Sequence, residues 1–302
     1  HWVFPGNTVD VTTIARVKDD LRGWQLTRCL FVGDAGMVSQ ANLQTLSRGG
    51  GKYLLAMPMR RGDEVTEEVL SRPGRYRTVA ENLEVKEVIV GAGERRRRYA
   101  VCFNPLEAKR QKAHREELLT ELEAELASLS VLVEGSHTKR VCALRSSARY
   151  GRLLKETKRG LAIDRQAIVE LERFDGKFVV HGNDDTLSAE DMALGYKQQQ
   201  RVEEAWRTMK SGLKMRPVFH WAPHRIHAHI AITVLSLLLE RTIEHACQDT
   251  WRNIRDDLKR IQLALLSSPN GQAWQVTEPS PDAANRLKAL NIKPPKPILN
   301  LD

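Results

Sequence analysis

Residues 29–57, CLFVGDAGMVSQANLQTLSRGGGKYLLAM, decide how the chain is read. The run from Cys29 to Val32 is short, apolar and closed by Gly33-Asp34-Ala35-Gly36, so it predicts a buried strand with an acid at its C-terminal end. Ser39 stands where a cap belongs for a helix carrying Leu43 and Leu46. Gly49-Gly50-Gly51 stops that helix ahead of a second apolar run, Tyr53 to Met57. Upstream, Val11, Ile14, Val17 and Leu21 recur at helical spacing until Gly23, with Asp10 or Thr12 able to cap the helix. Residues 1–4 read as the end of a strand and Pro5-Gly6-Asn7 as a turn. Strand, helix, strand, helix, strand at these lengths predicts an α/β layered sheet. Functional groups in such sheets gather beyond the C-terminal strand ends, where Asp34 lies.

From about residue 58 to 185 the pattern changes. Val85–Val90 and Tyr99–Phe103 predict hairpin strands with Arg95, Arg96, Arg97 and Arg98 between them. Leu106 to Leu132 is strongly helical, with Leu118, Leu122, Leu126 and Leu129 on one stripe. A stretch rich in Lys and Arg, 139–165, precedes a strand at Lys177–His181 and a turn at Gly182–Asp185. Ser188 with Asp191 makes a variant capping box for a helix that continues through YKQQQRVEEAWRTMK, residues 196–210. At about 100° per residue, Tyr196, Gln199, Glu203, Trp206, Arg207 and Lys210 share one side of that helix, a face suited to DNA and metal. A further helix from Pro223 contains the apolar run Ile230–Leu239, which reads as buried and is too short to span a bilayer. The proline-rich tail after Ser267 reads as irregular.

The 302 residues suffice for one large domain or two smaller ones, and 41% hydrophobic content can fill a sizeable core. Forty-seven Lys and Arg against thirty-eight Asp and Glu give a charge of +9, which favours a polyanion such as nucleic acid. Cys29, Cys102, Cys142 and Cys247 are scattered, which fits a reducing cytoplasm. The N-terminus carries no signal-peptide pattern and no Met, so the chain is expected to be cut from something longer. No nucleophile elbow, phosphate loop or dinucleotide fingerprint occurs.

Asp34 and Glu203 are the sharpest pair. Oxygen ligands from a strand end and a later helix suit Mg²⁺ or Mn²⁺ in phosphoryl transfer, although spacing alone equally describes solvated acids, which are far commoner. Arg207 and Lys210 can neutralise a phosphate or pair along the helix, as Glu203 with Arg207. Tyr196 suits a phosphate or base contact, or a core edge; Trp206 reads as core. Arg95 to Arg98 are either a DNA-backbone patch or a solvated hairpin tip. His220, His224, His227 and His229 lack the spacing of a zinc motif.

Taken together, GNTVDVTT (6–13), LFVGDAGMVSQANLQTL (30–46), YLLAMPMR (53–60), YKQQQRVEEAWRTMKSGLKMRPVFHW (196–221) and HRIHAHIAI (224–232) resemble the DDE transposases of the insertion-sequence-four group. The resemblance implies an RNase H-like mixed sheet flanked by helices, with a large α+β insertion between the second and third acids. It implies that two aspartates and a glutamate hold two Mg²⁺ ions (or Mn²⁺), which cut the element's ends and join them to target DNA. Asp34 matches the second acid and Glu203 the third; Tyr196, Glu203 and Lys210 match the signature around it, and Gln199 replaces its arginine.

The first aspartate has no match, Asp10 being placed as a helix cap, so the isolated chain is expected to be inactive or very weak. On this reading residues 1–60 begin the core and 61–185 form the insertion. Residues 186–250 return to the core with the Glu203 helix, and 251–302 add a helix and an irregular tail. The implied partners are double-stranded DNA and a second copy in the active complex, with no membrane, in a bacterial cytoplasm near the nucleoid. The rival readings are a non-catalytic DNA-binding protein descended from such an enzyme and a dimerising module built on the Leu118–Leu129 stripe.

Overall fold

The computed structural model describes the chain except residues 25–28, 60–63, 132, 159, 269–270 and 300–302. The boundary expected between residues 60 and 61 therefore lies outside the described residues. The chain divides into two compact units, Trp2–Gln199 and Gln200–Asp302, the latter with His1.

The first unit opens with α1 (Ile14–Arg22), β1 (Leu30–Gly33), α2 (Gln40–Ser47) and β2 (Lys52–Ala56). These match the expected alternation. Ser39 accepts from Asn42 N–H to cap α2, and Gly49 and Gly50 take positive φ angles of 67° and 75° where that helix ends. At Gly51 a Cβ would meet the Leu46 carbonyl oxygen at 2.0 Å, so only glycine fits the turn into β2. Residues 1–4 form no strand. Trp2 donates to Asp20 at 2.8 Å and Phe4 lies beneath Arg16, so both aromatics are held by α1.

β3 (Arg77–Ala80), β4 (Leu83–Val90) and β5 (Arg97–Phe103) follow, then α3 (Pro105–Leu129), α4 (Glu134–Ser146), a hairpin of β6 (Leu154–Thr157) with β7 (Gly160–Ile163), α5 (Arg165–Glu172), β8 (Lys177–Gly182) and α6 (Ala189–Lys197). Six strands form one mixed sheet in the order β1-β2-β8-β5-β4-β3, in which β1 and β2 are parallel and the other neighbours antiparallel. The structure is thus a mixed α/β fold with a six-stranded sheet flanked by helices, consistent with an RNase H-like transposase fold. Strands from the expected insertion extend the sheet begun by β1 and β2.

Alternation along the strands fills both faces. Leu54, Val180, Ala100, Cys102 and Val85 pack against Met192 and Ala193 of α6. On the other face, Tyr53 and Leu55 meet Ile14 and Leu46, while Tyr99, Val101 and Val179 meet Val65 and Val69. The capping box at Ser188 and Asp191 forms as the sequence predicts and starts α6 squarely over the sheet.

Away from the sheet, Leu122 and Leu129 of α3 are buried with Leu144, Leu153 and Ile168 from α4, the turn after it and α5. The leucine stripe is therefore covered from within the chain, which removes the basis for reading it as a dimerising seam. The basic stretch 139–165 pairs with successive glutamates of α3: Arg149 with Glu121 at 2.7 Å, Arg165 with Glu123 at 3.4 Å and Arg140 with Glu125 at 2.5 Å.

Within the sheet, His181 is buried between Tyr53 and Tyr99. Its Nε2 lies 3.0 Å from the Tyr53 hydroxyl and its Nδ1 2.9 Å from the Arg98 carbonyl oxygen. Burial, the largest cause, pushes its pKa below the ordinary 6.5; Arg97 lowers it further, while the Arg98 carbonyl and Glu64 oppose the shift. The unfolded chain then binds a proton more readily than the folded one, so this residue's contribution to stability is complete above about pH 6.5 and is lost as pH falls through the folded pKa. Melting temperatures between pH 7 and 5 should fall more steeply for the wild type than for His181→Leu. Parallel curves would show that His181 does not titrate with unfolding.

The second unit contains α7 (Gln199–Arg207, begun by the last residue of the first), a π-helical turn (Thr208–Gly212), α8 (Pro223–Cys247), α9 (Trp251–Leu258), β9 (Leu263–Ser268), β10 (Gly271–Val276), α10 (Pro281–Ala289) and β11 (Ile298–Leu299). The tail is thus not irregular: an antiparallel sheet β11-β10-β9 and α10 fill it, with Val276, Ala283, Leu287 and Ile254 buried. Pro281 stands at the start of α10 and Pro294, Pro295 and Pro297 come just before β11, so these prolines fall outside the strands; Pro269 lies outside the described residues. The run Ile230–Leu239 is not buried either. α8 turns Thr233 and Glu240, one heptad apart, inward, and leaves Ile232, Leu235, Leu238 and Leu239 exposed, because the run is apolar around more of its circumference than its neighbours in this unit cover. By length and composition α8 could cross a membrane.

Candidate nucleic-acid interface and acidic positions

Asp34 follows the last residue of β1 in an extended conformation. Its Oδ1 accepts Gly36 N–H at 3.1 Å, which shapes the short turn Ala35–Met37. Asn42 ties this turn to the preceding segment by donating to Met37 O and Val11 O, each at 2.8 Å. The half-buried Asp34 carboxylate is thereby fixed at the strand end, where the sequence places it. Asp10 opens a short 3₁₀ turn, Asp10–Thr12, and its side chain caps nothing; Thr13 occupies the N-cap of α1.

The helix expected over residues 189–210 is parted at Gln198 into α6 and α7, and Lys210 sits in the π-helical turn. The cause is visible in the sequence. The stripe that seats α6, Met192, Ala193 and Tyr196, would continue through Gln199, Gln200 and Glu203, none of which is apolar, whereas Val202, Trp206 and Met209 belong to a different line. Tyr196 thus lies on α6, Gln199, Glu203, Trp206 and Arg207 on α7, and Lys210 in the π-helical turn. Tyr196 packs its ring 5.6 Å from Phe178 against the sheet cluster. The Oε1 of Gln199 is buried without a hydrogen-bond partner among the described residues.

On α7, Glu203 is exposed and forms no ion pair with Arg207 among the described residues. Trp206 is exposed, not core, and carries the Lys210 ammonium over its ring at 5.7 Å. Arg201, Arg207, Lys210, Lys214 and Arg216 are all exposed and make no ion pair among the described residues. Phe219 and Trp221, 85% and 90% exposed, follow at once. Sixteen residues, 201–216, thus present unneutralised charge next to open aromatic faces, the combination that holds phosphates and stacks on bases. His229 meets the Met215 carbonyl oxygen and the His220 ring.

The arginine run is differently placed from the expected hairpin tip. The tip is the turn Gly93–Arg95, and Arg97 and Arg98 are strand residues of β5. Arg96 pairs with Asp185 at 2.7 Å and Arg97 with Glu64. Arg98 is buried, donating to Glu87 at 2.7 Å and to the carbonyls of Asp184 and Leu187. Only Arg95 of the four is without a carboxylate among the described residues. A cavity of about 410 Å³ at the far end of β1 from Asp34 is also cationic, but Lys18 there caps the end of α2 through the carbonyls of Leu46 and Arg48, and Lys52 holds Asn183 O.

Among the described residues no group of three or more His, Cys, Asp or Glu side chains is placed to hold a metal ion. Residues 2–239 match the family model described as Transposase DDE domain. The chain belongs to the DDE transposase family. No curated protein and no solved structure matches it. The match covers both units up to the middle of α8, so the Asp34 loop and the 201–216 stretch of this transposase both fall inside it. DDE transposases generally use divalent metal ions. The described residues of this one do not assemble a protein-only site for such an ion, and a cation held by one or two carboxylates takes its remaining ligands from water and substrate phosphates.

Proposed function

We propose that this transposase belongs to the insertion-sequence-four group and acts on double-stranded DNA in the cytoplasm, with Asp34 and Glu203 as two of its catalytic acids and Mg²⁺ or Mn²⁺ as the ion they serve. The supporting observation is the stretch from Arg201 to Trp221, where free cations and exposed aromatics flank Glu203 within the family match. Arg207 and Lys210 contact phosphates there, and Gln199 supplies an uncharged amide where the group has arginine. The group's first aspartate has no match in the sequence, so the isolated chain binds DNA and cuts it weakly.

That last observation also favours a second reading, a transposase-derived protein that binds DNA without cutting it. Nicking of supercoiled plasmid in Mg²⁺ or Mn²⁺ separates the two. Slow nicking that disappears in both Asp34→Asn and Glu203→Gln, with DNA binding retained, supports catalysis at these acids. Binding without any nicking supports the second reading. Nicking that survives both substitutions would remove Asp34 and Glu203 from the site, and absence of binding would end both readings.

A further inference from the structure

The cavity of about 410 Å³ in the first unit is lined by no residue of the Asp34 turn or of the 201–221 stretch. It opens where α1 and α2 end and β1 and β2 begin. Leu21, Phe31 and Leu46 give it apolar walls, while Lys18, Arg22, Arg48 and Lys52 bring four cations, with no carboxylate among the described residues that line it. Apolar walls with a few placed charges, at this volume, make a small-molecule site.

The four cations are not equivalent. Cations at a helix C-terminus ordinarily satisfy its unpaired carbonyls, and Lys18 does so for α2: it donates to Thr45 O, to Leu46 O at 2.8 Å and to Arg48 O at 3.0 Å, which occupies all three of its N–H groups. Lys52 donates to Asn183 O at 3.1 Å. Arg22 holds Asp19 at 3.3 Å in a pair with both side chains more than 60% exposed, which is weak, and Arg48 is exposed with no carboxylate among the described residues. The end of α2 is therefore satisfied by Lys18 alone, and Arg22, Arg48 and Lys52 crowd the cavity with little to offset them. Lys18 registers the crowding: burial first, then Arg22 and Arg48, lower its pKa, and Asp19 opposes them.

An anion relieves such a cluster, and the planar guanidinium forks of Arg22 and Arg48 suit phosphate oxygens taken in pairs. Several cations favour a ligand with more than one negative charge, and the apolar walls favour one that carries a ring. We propose that this cavity binds a free nucleoside triphosphate, with its phosphates on Arg22, Arg48 and Lys52 and its base against Leu21, Phe31 and Leu46. A DNA duplex is too wide to enter a cavity of this volume. The inference goes beyond the DNA reading and is independent of the assignment of the acids.

The full chain carries its own reporter. Cys29 lines the cavity and is exposed, whereas Cys142 on α4 is exposed outside it, so alkylation by iodoacetamide, followed at each cysteine by mass spectrometry, has an internal control. ATP, GTP, CTP or UTP at about ten times its dissociation constant should slow Cys29 about tenfold and leave Cys142 unchanged. Arg22→Gln combined with Arg48→Gln should need at least about tenfold more nucleotide for the same protection, with unchanged circular dichroism because both side chains are exposed. Arg207→Gln with Lys210→Gln should need no more than the wild type. Absence of Cys29 protection by any of the four nucleotides at about 5 mM overturns the proposal, as does protection that survives the Arg22 and Arg48 changes or is lost with Arg207 and Lys210. Equal protection by pyrophosphate would remove the base from the site, and equal protection by a duplex oligonucleotide would make this face part of the DNA surface; either result overturns it too.

Discussion

Replacing Arg207 and Lys210 together by glutamine is expected to weaken duplex DNA binding about 10- to 100-fold near 100 mM salt, and to lower the slope of log affinity against log salt by about two. Both cations are exposed and without a carboxylate among the described residues, so each can release a counterion from DNA at no cost in broken ion pairs. Lys210 lies over the Trp206 ring, which orients its ammonium without neutralising it. Fluorescence anisotropy over a salt series reads both quantities. The paired change Arg96→Gln with Arg97→Gln is the control: Asp185 and Glu64 already hold these cations, so affinity should move by less than about threefold. Equal losses from the two pairs would mean that DNA competes successfully for paired arginines.

Arg98→Ala should act on the fold and not on DNA binding. Its side chain is 9% exposed, and removing it takes the guanidinium donor from the Leu187 carbonyl, leaves the Asp184 carbonyl only the Leu187 N–H at 3.3 Å, and leaves Glu87 without its partner. Glu87 is 41% exposed and can turn to water, which keeps the loss below that of a fully buried pair. About 2–3 kcal/mol is the expected cost, a fall in melting temperature of roughly 4–12 °C for a unit of this size. Thermal unfolding by circular dichroism measures it. An unchanged melting temperature with weakened DNA binding would return Arg98 to the DNA surface.

These contrasts show what the sequence carries and what it hides. The β1–α2–β2 unit, the Asp34 turn, the Ser188 capping box and the α3 helix rest on spacing, caps and glycines within a few residues, and all are legible. The fate of the arginine run is not, because Glu64 and Asp185 lie 33 and 89 positions from the arginines they hold: Asp185 reaches Arg96 only when β5 pairs with β8, and Glu64 reaches Arg97 only when residues 64–69 pack against β5. The break at Gln198 is legible in hindsight from the loss of the apolar stripe after Tyr196. The Glu203 motif invites a continuous helix because its residues are good helix formers, yet propensity does not decide which side chains find a packing partner. α8 fails for the complementary reason: an apolar run predicts burial only when something in the chain is available to cover it. The tail misled through composition, since its prolines punctuate elements without preventing them.

The most direct test of the account is a hydrogen-exchange footprint of the chain on a duplex oligonucleotide. Slowed exchange is predicted for peptides spanning 201–221 and for the Asp34 turn, with no change in peptides of β5 containing Arg97 and Arg98. Protection confined to β5 and the 93–96 turn, with none across 201–221, would contradict it.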